Sequence, residues 1–120
     1  MTIISMFLGI QSQFKVLHWQ TQSYARHQAY GEAYDTFSAL TDDFVEIYMG
    51  KYGRLAVEKD DQIILSNIGE MNQDEFLETI TDFLLSLNNQ LNPQRDSDLL
   101  NLRDELLAAV NKLKYLLTLK

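Results

Sequence analysis

Residues 17–46 read LHWQTQSYARHQAYGEAYDTFSALTDDFVE. The fold turns on the short polar run QTQS at residues 20–23, which lies between two helical patterns. Before it, over residues 2–19, Ile3, Phe7, Ile10, Phe14 and Leu17 repeat at intervals of 4-3-4-3, the stripe of an amphipathic helix. After it, over residues 23–52, Tyr30, Ala33, Phe37, Leu40, Phe44, Ile47 and Tyr48 keep helical spacing. A link this short predicts an antiparallel helical hairpin. Gly50 and Gly53, with Lys51 and Arg54, mark the end of the second helix: glycine turns the chain, and the cations suit the negative end of the helix dipole.

Further along, residues 55–71 mix the charged run Glu58, Lys59, Asp60, Asp61 with the apolar Ile63, Ile64, Leu65 and with Gly69. This segment is expected to be a connection with one short helix that tucks the apolar residues against the bundle. At roughly 3.3 Å per residue it spans about 55 Å, whereas a 20-residue helix is only about 30 Å long. It is therefore long enough to return the chain to the end of the bundle it left. A third helix over residues 73–91 opens on an Asn72…Glu75 capping pair. Its stripe is Phe76, Ile80, Phe83, Leu84, Leu87 and Leu91, and Asn92-Pro93 closes it. A fourth begins near Asp96-Ser97-Asp98 and carries Leu99, Leu102, Leu106, Val110, Leu113 and Leu117, with Lys112, Lys114 and Lys120 at its negative end. The prediction is an all-α four-helix bundle of ferritin-like layout, with a long crossover between the second and third helices and residues 1–120 in a single domain.

Composition narrows the function. The 120 residues are 46% hydrophobic, with one proline and five glycines, enough for a real core and long elements. With no cysteine, thiolate nucleophiles, disulfides and cysteine-based metal sites are excluded. A net charge of −7 opposes nucleic-acid binding through phosphate neutralisation and docking on anionic membranes. The same charge suits attraction of cations. No apolar run approaches the roughly 20 residues needed to span a bilayer. The N-terminus lacks a basic region followed by an apolar run and a cleavage site, so a cytoplasmic protein is expected.

The chemistry-bearing residues concentrate in the opening stretch. At about 100° per residue, Glu32, Asp35, Asp42 and Glu46 cluster within roughly 80° of arc, about 150° from the apolar direction of the second helix. Acids on a helix most often form a solvated face. Here, though, almost no Lys or Arg is interleaved between residues 27 and 50, so the stacked carboxylates repel and a cation would relieve them. Asp42 and Glu46, four apart, can reach one metal. His18 and His27, nine apart, would point in opposite directions on one helix and can cooperate only if the helix breaks between them. Each has a plain structural alternative, a ring satisfied by a backbone carbonyl. Trp19 would ordinarily be a packing or interface aromatic.

The His18-Trp19 pair at the end of a first helix, His27 early in the next, and Asp42-x-x-x-Glu46 fifteen and nineteen residues after His27 together resemble the Dps mini-ferritins. The resemblance covers roughly residues 14–54. It implies a site split across a subunit interface, with His18 and His27 from one chain and Asp42 and Glu46 from its partner. That site would bind Fe(II) for oxidation by peroxide or oxygen, with Trp19 close by, in a homo-oligomer that stores ferric oxide. The departures are specific. The interval between the histidines is about three residues shorter than in the family. The acid expected four residues after the second histidine is Gly31, for which Glu32 or Asp35 could substitute. The arginine after the glutamate is replaced by Ile47, and there is no lysine-rich N-terminal tail. A short, divergent relative of the kind a phage might carry is implied. Two readings follow: an iron-binding, ferroxidase-like mini-ferritin, or a non-catalytic ferritin-like bundle acting as a structural or virion-associated interaction protein.

Overall fold

The computed structural model describes all residues from Met1 to Lys120. It contains four helices and no strand: α1 (Ile3–Gln20), α2 (Tyr24–Tyr52), α3 (Gln73–Ser86) and α4 (Ser97–Leu116). The starts of α1, α2 and α3 are fixed by side-chain caps. Thr2, Ser23 and Asn72 accept from the backbone N–H of Ser5, Arg26 and Glu75, satisfying donors that have no partner inside the helix. α2 ends at Gly53, whose φ of 90° is reached without the penalty a Cβ would bring.

The predicted stripes become the core. Phe7, Ile10, Phe14 and Leu17 of α1 are buried against Phe37 and Phe44 of α2, Ile80 and Leu84 of α3, and Leu99, Leu106, Val110 and Leu113 of α4. Two aromatic layers tie the first three helices together. Phe7 meets Phe44 and Phe83 edge-on, and one heptad later Phe14 meets Phe37 and Phe76 in the same way. Each fully buried Phe or Leu contributes about 1.5–3 kcal/mol relative to exposure.

Two elements depart from expectation. The third α-helix stops at Ser86, not near residue 91; a 3₁₀ turn at Leu87–Asn89 follows, and Leu87 and Leu91 stay buried. Arg103, which lies outside the leucine stripe of α4, is buried beside this end. Its Nη1 donates to the carbonyl of Leu84 at 3.1 Å and to Asn88 Oδ1 at 2.7 Å, supplying a partner to a terminal helix carbonyl.

The crossover also differs. It contains no α-helix, only a 3₁₀ turn at Ile68–Glu70, and Ile63, Ile64 and Leu65 remain exposed instead of tucking in. Polar side chains hold it. Asp61 accepts from the Thr2 N–H and hydroxyl at 3.1 and 2.7 Å, and from the Glu58 N–H at 2.9 Å. Gln13 bonds both the N–H and the carbonyl of Ser66. Gln20 accepts from the N–H of Ile68 at 2.7 Å. These partners climb α1 from its N-cap, Thr2, to its last residue, Gln20, so the crossover runs the length of the bundle. α2 and α3 therefore point the same way, and α1 and α4 the other. This is the connectivity of a ferritin-like bundle with one crossover. No helix is long and apolar enough to cross a membrane.

Candidate metal centre

The break between α1 and α2 brings the two histidines together. α1 ends at Gln20 and Ser23 caps α2, so His18 stands in the last turn of one helix and His27 in the first turn of the next. Their rings stack with centroids 3.8 Å apart and planes inclined by 16°. Each Nδ1 reaches the other residue's carbonyl, His18 to His27 at 2.7 Å and His27 to His18 at 2.8 Å. A carbonyl oxygen can only accept, so both Nδ1 atoms carry protons. In the neutral rings that leaves each Nε2 with its lone pair. No group in the chain bonds either Nε2, and no unpartnered side-chain nitrogen is buried, so both are open to solvent. A ligating histidine commonly has this arrangement: one nitrogen tied to a carbonyl, the other presented.

The His18 ring lies against Gly31. A Cβ built there would sit 2.9 Å from both Cε1 and Nδ1 of His18. The position at which the family resemblance would place an acid is thus filled by the ring of another residue. In the sequence, Gly31 stands out as the residue in place of the expected acid, with no hint of the ring it meets; a glycine inside a 29-residue helix was the further signal. Next to the pair, Trp19 is 69% exposed, and Lys15 Nζ stands 5.8 Å from its ring and 4.6 Å from that of Tyr34.

Glu32, Asp35, Asp42 and Glu46 are all exposed on α2, as the angular analysis predicts. They do not act as one group. Glu32 forms an ion pair with Lys112 of α4 at 2.7 Å, which turns it away from the α1 side. Asp35 and Asp42 line a groove of about 480 Å³ between α1 and α2, with Leu8 and Gln11 opposite. Asp42 and Glu46 are neighbours one turn apart on α2. The hydrogen bond from Asp42 and its nearby charge, with a lesser push from Asp43, hold the Glu46 carboxyl above the usual carboxylate range.

Histidines and acids are far apart within one chain. Fifteen residues of helix separate His27 from Asp42, about 22 Å. No set of three or more potential metal ligands gathers anywhere in the chain.

Residues 18–117 match a family of unknown function, DUF5856. The chain belongs to this family. The DUF5856 match begins at His18 and takes in His27, Gly31, Asp42 and Glu46, while leaving most of α1 outside. The chain is also similar to the uncharacterized 14.6 kDa protein in the mobD-ri intergenic region of Enterobacteria phage T4. The identity is 37% over 51 residues, covering 42% of this chain and 40% of the phage protein, so the chain spans less than half of that relative. No solved structure matches. The phage relative fits the expectation of a phage-borne chain.

Proposed function

We propose that this DUF5856 chain binds Fe(II) and oxidises it as a Dps-like mini-ferritin, at a site completed by two copies. The observation that carries the reading is the reciprocal lock on His18 and His27. It fixes both rings in the tautomer that leaves Nε2 free for a cation. Asp42 and Glu46 supply the complementary half. Asp42, one turn away, raises the proton affinity of Glu46, a like-charge stress that a cation would relieve. Two imidazoles with two carboxylates suit borderline divalent metals such as iron. Iron is the substrate here: each Fe(II) gives one electron, and a peroxide takes two, its O–O bond breaking to yield water as protons are taken up. Storage of the ferric product needs a closed shell of about a dozen copies; a lone dimer could oxidise iron but not enclose a mineral. A cytoplasmic setting, where Fe(II) persists, accords with this reading.

Anaerobic Fe(II) titration followed by peroxide, with ferric oxide absorbance as the readout, tests it. Wild type should bind and oxidise iron, and a double variant His27→Ala, Asp42→Ala should not. A wild type that binds no iron defeats the proposal. Mixing separate His27→Ala and Asp42→Ala chains tests the sharing. Random pairing about a two-fold axis makes half the dimers mixed, each with one intact site of two, so about a quarter of the sites should return.

One observation favours the second reading, a non-catalytic bundle. The two Nδ1 bonds close the hairpin by themselves, which is enough to explain both histidines as a structural clasp. In that case His27→Ala lowers the melting temperature while wild type leaves iron unbound.

A further inference from the structure

We infer that Gly31 is the positioning residue of the histidine pair: its bare Cα is the floor on which the His18 ring lies, and through that ring it also holds His27. The inference rests on the iron reading for its effect on binding, but not for its geometry.

Of the five glycines, Gly31 alone meets a neighbour too close for a side chain. A Cβ at Gly9 would have ordinary contact with Ile63 at 3.9 Å, and at Gly50, Gly53 and Gly69 it would meet nothing within 4 Å. Glycine is the poorest helix former after proline, yet here it stands well inside the longest helix. The His18 ring occupies the space its missing side chain leaves.

That ring cannot step aside cheaply. One face is stacked on His27, its Nδ1 donates to the carbonyl of His27, and its Nδ1–Cε1 edge rests on Gly31. A methyl group at position 31 has to displace it, breaking the Nδ1 bond and the stack together. His27 then loses the ring packed on its face and keeps one bond, to the His18 carbonyl. Because the lock is reciprocal, one methyl group loosens both imidazoles. A released imidazole divides its proton between its two nitrogens, and Nε2 is no longer reserved for a ligand.

Nitrogen-15 NMR of the imidazoles in the full chain, without metal, reads the geometry directly. Wild type should show both rings as the Nδ1–H tautomer. Gly31→Ala should lose that signature at His18 while far-UV circular dichroism holds, since alanine favours the helix. Gly50→Ala, with nothing near it, should leave both rings unchanged. Should Gly31→Ala fold poorly, the same change made on a His18→Ala background decides: with the ring already gone, Gly31→Ala should lower the melting temperature little or not at all. If the alanine costs the same with and without the ring, the inference is wrong. Anaerobic titration with Co(II), a spectroscopic stand-in for Fe(II), reads the consequence, and Gly31→Ala should weaken binding about 10- to 100-fold, the usual effect of losing a group that orients a ligand. Locked tautomers in a wild type that binds no cobalt would uphold Gly31 and sink the iron reading. Cobalt binding with tautomers and affinity untouched by Gly31→Ala would do the reverse.

Discussion

Removing the side chain of Leu106 leaves a hole whose cost depends on how well its surroundings can collapse. Leu106 is fully buried in α4, within the core shared by all four helices. Leu106→Ala should therefore cost about 2–5 kcal/mol in urea unfolding. Asp96 is a different kind of buried residue. It is 2% exposed and accepts from the Tyr52 hydroxyl, from the Asn92 N–H at 2.8 Å and from Lys51 at 3.0 Å. Those donors, the tyrosine hydroxyl first, hold its carboxyl down at about 2. The unfolded chain has an ordinary aspartate near about 3.9. The folded state thus binds this proton less readily than the unfolded one. The stabilisation is complete above about pH 4 and fades as pH falls toward 2. Asp96→Asn should lower stability at pH 7 and flatten the decline between pH 4 and 2, measured by unfolding at stepped pH. An unchanged acid limb would show that other carboxylates govern it.

At the scale of elements, the end of α2 offers a contrast between two glycines three residues apart. Gly50 lies within the helix with open space around its Cα, whereas Gly53 adopts φ 90° and ψ 178°, a region essentially closed to side chains. Gly50→Ala should stabilise by about 0.5–1 kcal/mol, by removing backbone freedom from the unfolded chain. Gly53→Ala should destabilise by about 1–3 kcal/mol. Thermal unfolding of the pair, run side by side, checks both signs. The helix end at these glycines was legible in the sequence, as were the Asn72 start of α3 and the α1–α2 hairpin, because each rests on local chemistry. The crossover was legible as a length but not as a path. Ile63, Ile64 and Leu65 read as core on composition, yet the segment is placed by Asp61, Gln13 and Gln20, polar contacts between residues about 50 apart in sequence. The acid face of α2 was legible through helical periodicity alone. The stacked histidines were not, since their meeting depends on the three residues that turn the chain, and the part played by Gly31 depends on that meeting.

The whole molecule sets a geometric condition on the proposed site. The histidine pair stands at one end of the α1–α2 hairpin, and Asp42 with Glu46 lies about 22–28 Å along α2. For the histidines of one copy to face the acids of another, and the reverse, the copies must run antiparallel about a two-fold axis. That axis has to cross α2 midway between His27 and the acid pair, at the level of Asp35. Asp35 is exposed and lines the groove between α1 and α2. Lys15, whose ammonium group stands over the Tyr34 ring, lies near this level. It brings a cation to the place where the two copies' Asp35 carboxylates would approach. Since the chain has no cysteine, one introduced thiol reports this contact against a clean background. Asp35→Cys chains should form a disulfide-linked dimer under mild oxidation, because residues near a two-fold axis meet their own copies. Asp82→Cys, on the exposed side of α3 and away from the hairpin, should stay monomeric under the same oxidant. Efficient cross-linking through position 82 but not 35 would mean the copies pair through another face. The histidines and acids would then remain as separate halves, and the oxidation of iron would have no site.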